Sequence, residues 1–232
     1  MGGFFGAVSA NDCVLDVFYG TDYHSHLGTR RGGMTSYSAE LGFQRNIHSI
    51  ENSPFRTKFE KDVEKMRGNI CIGCISDTDP QPIMVRSKLG LYAVCSIGII
   101  QNAKALSEEL LESGCANFET MSSGNINSGG LIGALIAQKP TFVEGIRYAQ
   151  SKIEGTMSLV IMTEDSIICA RDRAGKLPIL IGKRSDGYCF SFESFAYQKL
   201  GYETCHELKA GEITCLTKDG YEVLYEGPEE MK

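Results

Sequence analysis

The pattern of hydrophobic and polar positions divides the chain into two strand-rich halves that flank a helical middle. In the first half, apolar runs predict strands at residues 1–8, 35–41, 45–50, 69–76, 83–86 and 89–100. Apolar residues at helical spacing predict helices at residues 12–26, 54–66, 103–113, 131–138 and 142–152. A stretch rich in glycine, serine and asparagine at 117–130 predicts a mobile loop, and Arg30–Gly33 predicts a turn.

From Gly155 onward the pattern changes to short strands separated by turn residues. Strands are predicted at residues 157–163, 166–171, 179–183, 188–192, 203–208, 212–216 and 222–225, with a short helix at 194–200. Glu164–Asp165 and Ser185–Gly187 are typical of hairpin turns. Strand-rich halves around a helical middle indicate an α+β layered fold, with two stacked sheets and helices outside. There is no internal repeat and no long linker, so we expect one domain over residues 1–232.

Composition and charge limit the classes of partner. Hydrophobic residues make up 42% of the chain and charged residues 22%, which is ordinary for a globular protein. The formal charge of −6 and the isoelectric point near 5.3 argue against a nucleic-acid backbone or an anionic membrane as partner. No apolar run approaches the roughly 20 residues that span a bilayer, and no secretory signal opens the chain. We therefore expect a cytoplasmic protein.

Nine cysteines are many for 232 residues, and they bear on metal and redox chemistry. Their odd number, the lack of an export signal and their place in apolar runs favour buried, reduced thiols. Cys71 and Cys74 form a lone C-x-x-C, for which two core thiols on a strand are favoured over a zinc or redox site. The four histidines show no metal-ligand spacing, so we expect no metal and no cofactor.

Three segments resemble class II glutamine amidotransferase domains. They are Gly3–Val8 with residues 19–32 after it, Glu154–Met162, and Ala170–Pro178 with Ile181–Lys183 and Phe192–Ala196 after it. The resemblance is closest to the amidotransferase half of glutamine phosphoribosylpyrophosphate amidotransferases, which belong to purine biosynthesis. It implies the four-layer αββα sandwich of the N-terminal nucleophile hydrolases.

The resemblance also implies a mechanism whose parts can be compared with this sequence. The family hydrolyses the side-chain amide of glutamine with an N-terminal cysteine, whose own α-amine activates the thiol. That position falls on Gly2, which becomes N-terminal once Met1 is removed and which has no side chain. The family's oxyanion motif, histidine-asparagine-glycine-asparagine, falls on Ser96–Ile99, so that Ile97 replaces the asparagine donor beside Gly98.

The substrate-binding positions depart from the family in the same way. Ser76 falls on the arginine that holds the carboxylate of glutamine, and Ser128 lies where the family has an aspartate for the substrate amine. Arg31 matches a family arginine beside the pocket, either as an anion ligand or as a solvated turn residue. Arg171 and Asp172 are expected to make structural turn or ion-pair contacts.

Two functional hypotheses follow. The favoured one is a degenerate domain, a pseudoenzyme that acts as a binding, structural or regulatory subunit. Its partner would be a phosphoribosyltransferase-like or synthase chain, or further copies of itself in a homo-oligomer. The alternative is an active amidotransferase, the glutaminase half of such an enzyme, in which Gly2 replaces a native cysteine. A replacement nucleophile at Cys74, Cys95 or Ser96 is less favoured, because no histidine is placed by sequence to activate it. The chain stops at residues 225–232, about where family chains enter the phosphoribosyltransferase domain, so we expect it to be either truncated or stand-alone.

Overall fold

The computed structural model describes residues 2–114 and 126–228. Within these ranges the chain forms strands and helices in an order that we number from the N-terminus. They are β1 (Gly2–Ser9), α1 (Val14–Tyr23), a 3₁₀ turn (His24–His26), β2 (Arg31–Ser38), β3 (Gly42–Ser49), α2 (Phe55–Val63), β4 (Ile70–Ser76), β5 (Ile83–Ser87), β6 (Gly90–Ile100), α3 (Ala103–Glu112), α4 (Ser128–Ile136), α5 (Phe142–Lys152), β7 (Gly155–Met162), β8 (Ile167–Ala170), β9 (Leu180–Arg184), β10 (Gly187–Ser191), α6 (Phe195–Gln198), β11 (Glu203–Glu207), β12 (Ile213–Leu216) and β13 (Tyr221–Tyr225).

The strands form two antiparallel sheets that stack on each other. The first sheet has seven strands in the order β11-β9-β10-β1-β4-β2-β3, and the second has six in the order β13-β12-β8-β7-β6-β5. Helices α1 and α2 cover the outer face of the first sheet, and α3, α4 and α5 cover the outer face of the second. The four-layer αββα sandwich is therefore confirmed.

The period-two alternation of the strands determines where the core lies. On β1, Phe4 and Val8 face the second sheet, whereas Phe5 and Ala7 face the covering helices. All of β1 is buried, which explains why its sequence is a continuous apolar run rather than an alternating one. Burying one phenylalanine side chain contributes about 2–3 kcal/mol, so these rings fix the position of β1 between its neighbours.

The same alternation separates the two cysteines of the C-x-x-C on β4. Cys71 packs under α1 and α2, and Cys74 lies in the core between the sheets. Side chains on opposite faces of a strand cannot share a metal ion or a disulfide, so the prediction of two core thiols is confirmed. Within residues 2–114 and 126–228, no group of three or more histidine, cysteine or acidic residues is placed to hold a metal ion. No helix in these ranges is long and apolar enough to cross a membrane.

The predicted turn at Arg30–Gly33 was wrong, because β2 begins at Arg31 and continues through both glycines. A Cβ atom at Gly32 would lie 2.7 Å from the ring of Phe55 on α2. This glycine therefore permits close packing of a helix on the sheet, a role that its sequence context does not distinguish from a turn.

The predicted loop at 117–130 was wrong at its end, where Ser128 begins α4. The side chain of Asn127 caps this helix, since its carbonyl oxygen accepts hydrogen bonds from the N–H groups of Gly129 at 2.8 Å and Gly130 at 3.3 Å. Residues 117–125 of the predicted loop lie outside the described residues. The other predicted helices and strands are confirmed, with ends that differ by a few residues.

Asp172 organises the turn that follows β8. Its side chain is 2% exposed, and its carboxylate accepts hydrogen bonds from the N–H groups of Ala174 at 3.0 Å, Lys176 at 3.1 Å and Leu177 at 3.4 Å. The guanidinium of Arg171 donates to the carbonyl oxygen of Gly175 in this turn and to that of Leu208 after β11. The structural role predicted for this pair is confirmed.

We expect Asp172→Asn to lower the free energy of unfolding by about 2 kcal/mol, because an amide nitrogen would then face backbone N–H donors in a buried site. Denaturant unfolding measures this difference. The matched control is Asp219→Asn, whose carboxylate pairs on the surface with no described side chain but the neighbouring Lys218 and should change stability by less than about 0.5 kcal/mol. Equal stability of the two variants would contradict the role assigned to Asp172.

Candidate functional site

A cavity of about 400 Å³ opens where β1, β4 and β6 meet the N-terminus of α4. Its size is typical of sites for small molecules. The lining residues are Gly2, Ser76, Thr78, Asp79, Gln81, Ser96, Ile97, Gly98, Ile99, Ile100, Ser128, Ile132, Thr156, Met157, Lys176 and Leu177. Of the six positions matched to the family's site, Gly2, Ser76, Ile97, Gly98 and Ser128 are among them, and Arg31 is not.

Strand register explains how distant positions come together at one wall. Gly2 on β1 and Arg31 on β2 are both direct cross-strand partners of Ser76 on β4. Direct partners in an antiparallel sheet share a face, so these three residues form one row across the end of the first sheet. Arg31 is half-buried and stands one strand further from the cavity. The row therefore presents a glycine and a serine to the cavity.

The opposite wall is formed by the end of β6. Ile97 is the partner of Ser158 on β7 and packs against the core between the sheets. A Cβ atom at Gly98 would overlap the carbonyl oxygen of Thr156, so the close approach of β7 requires a glycine there. At the oxyanion position the wall offers the alkyl side chain of Ile97 and no side-chain hydrogen-bond donor.

The carboxamide of Gln81 lines the cavity but is already bonded to β6. Its Nε2 group donates to the carbonyl oxygen of Ser96 at 3.0 Å, and its Oε1 accepts from the N–H group of Ser96 at 2.6 Å. Gln81 is 3% exposed, and this pair of bonds satisfies the backbone of β6 beyond the end of β5. The amide therefore extends the sheet and is not free to bind an amide substrate.

Asp79 supplies an acid that the sequence interpretation missed. Its Oδ2 atom accepts a hydrogen bond of 3.0 Å from the N–H group of Ser128, and the residue is 3% exposed. The neighbouring Asn127 donates from Nδ2 to the carbonyl oxygen of Pro80 at 3.0 Å, which fastens the same loop to α4. No acid was expected near Ser128, yet a carboxylate lies beside it. The only sequence signal was an aspartate shortly after the apolar run of β4.

Lys176 provides a positive charge at the rim. The turn organised by Asp172 brings it and Leu177 to the cavity, and its side chain is exposed. Within residues 2–114 and 126–228 its ammonium group forms no ion pair. The cavity thus has a buried carboxylate, an exposed ammonium group and predominantly apolar walls.

Neither candidate thiol reaches the cavity. Cys74 and Cys95 both lie in the core between the sheets, and burial raises the pKa of the Cys95 thiol well above its usual value. None of the four histidines lines the cavity. His24 is buried on α1's side of the first sheet, where its Nδ1 atom lies 2.7 Å from the carbonyl oxygen of Gly20, and burial lowers its pKa. The expected lack of a neighbouring base for a replacement nucleophile therefore agrees with the described geometry.

A second hollow, of about 480 Å³, lies on the surface beside α5. Two of its three cations contact aromatic rings, since Lys139 lies 4.4 Å from the ring centroid of Tyr148 and Arg147 lies 4.4 Å from that of Tyr225. It contains none of the positions singled out in the sequence. We therefore take the cavity at Gly2 as the candidate site.

Known proteins similar to this chain are glutamine amidotransferase domains and amidophosphoribosyltransferases. The family described as "Glutamine amidotransferase domain" matches residues 66–198, which is more than half of the chain. An amidophosphoribosyltransferase of Archaeoglobus fulgidus is 26% identical over 88% of this chain, and one of Staphylococcus epidermidis is 32% identical over 86%. The chain spans 45% and 38% of the lengths of these two relatives.

Solved structures share the fold. Glutamine phosphoribosylpyrophosphate amidotransferase from B. subtilis, complexed with ADP and GMP, has a TM-score of 0.83 at 24% identity, covering 95% of this chain and 48% of that one. A glutamine aminotransferase class-II domain protein from Silicibacter pomeroyi has a TM-score of 0.65 at 11% identity, covering 97% of this chain and all of that one. At these identities the likeness shows the fold alone.

We expect Gly98→Ala to destabilise the protein by about 1–3 kcal/mol, because the added methyl group would force β6 and β7 apart at the cavity wall. Thermal and denaturant unfolding measure this change. Gly220→Ala is the control, since a Cβ atom there meets nothing within 4 Å. A Gly98→Ala protein as stable as the control would show that the two strands are not held in contact at this wall.

Proposed function

Because this chain belongs to the glutamine amidotransferase domain family, we propose that it is a degenerate member that binds a small molecule and does not hydrolyse glutamine. In this proposal residues 1–232 act as one domain with the fold of the N-terminal nucleophile hydrolases. The cavity at Gly2 occupies the place of the family's active site. The following observations support a binding role without catalysis.

The observation that carries the proposal is the close approach of β4 to Gly2. A Cβ atom at this position would overlap the carbonyl oxygen of Ile75 and lie 3.4 Å from the Cα atom of Ser76. Both contacts are with backbone, which cannot rotate away as a side chain can. A cysteine nucleophile at position 2 therefore requires β1 to move from β4, and the strands are packed for glycine.

Transition-state stabilisation is weakened as well. Ile97 has no donor for an oxyanion, and losing one such donor typically costs about 3 kcal/mol of transition-state stabilisation. The carboxamide of Gln81 cannot substitute, since its donor and acceptor are both used by Ser96. The hydroxyl of Ser76 pairs with Thr78 at 3.3 Å and has no histidine beside it to take its proton.

The lengths and names of the relatives support a proposal about the class of partner. The curated relatives are amidophosphoribosyltransferases about twice the length of this chain or longer, so the matched region is about half of those proteins or less. We infer that the domain serves a phosphoribosyltransferase-like or synthase chain, or a second copy of itself, as a binding, structural or regulatory subunit. The net charge of −6 favours protein and small-molecule partners over nucleic acid.

We expect purified wild-type protein to release no ammonia from glutamine above background and to resist labelling by a diazo-ketone analogue of glutamine. Gly2→Cys should also stay inactive, because its side chain cannot be placed without separating β1 from β4. Ammonia release by a coupled dehydrogenase assay and intact mass measure these outcomes. Mass spectrometry also verifies that residue 2 is N-terminal in each preparation.

The matched control is Gly2→Ala, which imposes the same backbone displacement without a thiol. Comparable thermal destabilisation of both variants supports the packing argument. Turnover by the wild-type protein would refute the proposal. Turnover by Gly2→Cys alone would instead support the alternative, an active amidotransferase in which Gly2 replaces a native cysteine.

A further inference from the structure

The buried carboxylate of Asp79 is an unexplained feature of the cavity. One oxygen accepts the N–H group of Ser128 at 3.0 Å, and within the described residues no lysine, arginine or histidine forms an ion pair with it. The positive end of α4 offsets part of the cost of burying this group. A carboxylate that is 3% exposed still lacks the full set of partners that buried charges usually have.

The walls around Asp79 are mainly alkyl groups. They are formed by Ile97, Ile99, Ile100, Ile132, Met157 and Leu177. Such walls favour an alkyl group by the hydrophobic effect, in proportion to the area that they remove from water. Burying the carboxamide of glutamine against these walls costs free energy unless it reaches one of the five hydroxyl residues of the lining, since the one amide in the cavity is bonded to Ser96.

We propose that this cavity binds an organic ammonium ion with an apolar body, with Asp79 as the counter-ion and the isoleucine walls around the alkyl group. The inference rests on the proposed function, because it requires a cavity that binds without hydrolysing glutamine. A charge-assisted hydrogen bond from the ammonium group to Asp79 supplies orientation, and shape and burial select the alkyl group.

Two sources share this chemistry, a simple alkylamine and an apolar amino acid. Lys176 distinguishes them, since its ammonium group lies at the rim of the cavity without an ion-pair partner within the described residues. An amino acid carboxylate placed at the rim would meet this charge, whereas an alkylamine would gain nothing from it. The effect of Lys176→Met on each ligand therefore identifies the source.

Isothermal titration of the full chain tests the inference with four matched probes: L-leucine, isoamylamine, isocaproate and L-glutamine. Isoamylamine and isocaproate are leucine without its carboxylate and without its amine. We expect leucine, isoamylamine or both to bind, and isocaproate and glutamine to bind at least roughly tenfold more weakly. Binding of isocaproate as tight as that of isoamylamine, or no binding by leucine and isoamylamine, would overturn the inference.

Asp79→Asn should weaken binding of the ammonium ligands by roughly tenfold or more while keeping an acceptor for the N–H group of Ser128. Asp219→Asn is the control and should bind like wild type. An Asp79→Asn protein that binds like the control would overturn the role of this carboxylate. If that variant does not fold, the four-probe series on wild-type protein still tests whether the cavity binds an organic ammonium ion.

The ammonia assay on the same preparation separates this inference from the proposed function. Glutamine hydrolysis would refute the proposed function whatever the titrations give. Lack of hydrolysis together with lack of ammonium binding would refute only the inference drawn from Asp79.

Discussion

The antiparallel pairing of β1 with β4 is the constraint on which the candidate site depends. The pairing runs from Gly2 opposite Ser76 to Val8 opposite Ile70, and both faces of β1 are buried. Rings of Phe4 and Phe5 hold the strand from opposite sides, so the backbone at its first residue has little freedom to move. The packing of the whole sandwich therefore determines how much room there is for a side chain at position 2.

The same packing links the fold to the chemistry of the cavity. The first sheet supplies a glycine and a serine, the second sheet supplies isoleucine, and α4 supplies the N–H group of Ser128 to Asp79. On the function proposed above, charge is available in this arrangement for binding, while the nucleophile and oxyanion positions of the family carry Gly2 and Ile97. A scaffold can keep its fold under these changes because stability depends mainly on the three apolar clusters, which lie largely outside the cavity.

Much of the fold could be predicted from the sequence because periodicity reports burial. The continuous apolar run of β1 and the helical spacing of Phe55, Phe59 and Val63 both correspond to buried faces. The turn predicted around Gly32 was wrong because a glycine that permits close packing cannot be told from a glycine that permits a turn by sequence. The loop predicted to include Ser128 was wrong because the helix that Asn127 caps begins with serine and glycine residues, which favour loops.

The candidate site was less predictable, since its members are joined only by tertiary contacts. Gly2 and Ile97 were located through resemblance to a family, and no pattern within the chain marks them. Asp79 was missed because it lies 49 positions before Ser128, and only the fold brings the two within hydrogen-bond distance. Burial and hydrogen bonding identify this carboxylate where spacing cannot.

The central claim is that glutamine survives contact with this cavity, and a single-turnover experiment tests it most directly. Glutamine whose side-chain amide carries heavy nitrogen is mixed with excess protein and followed by NMR. The account predicts that the amide signal persists unchanged. An ammonium signal that grows in proportion to protein concentration would contradict it.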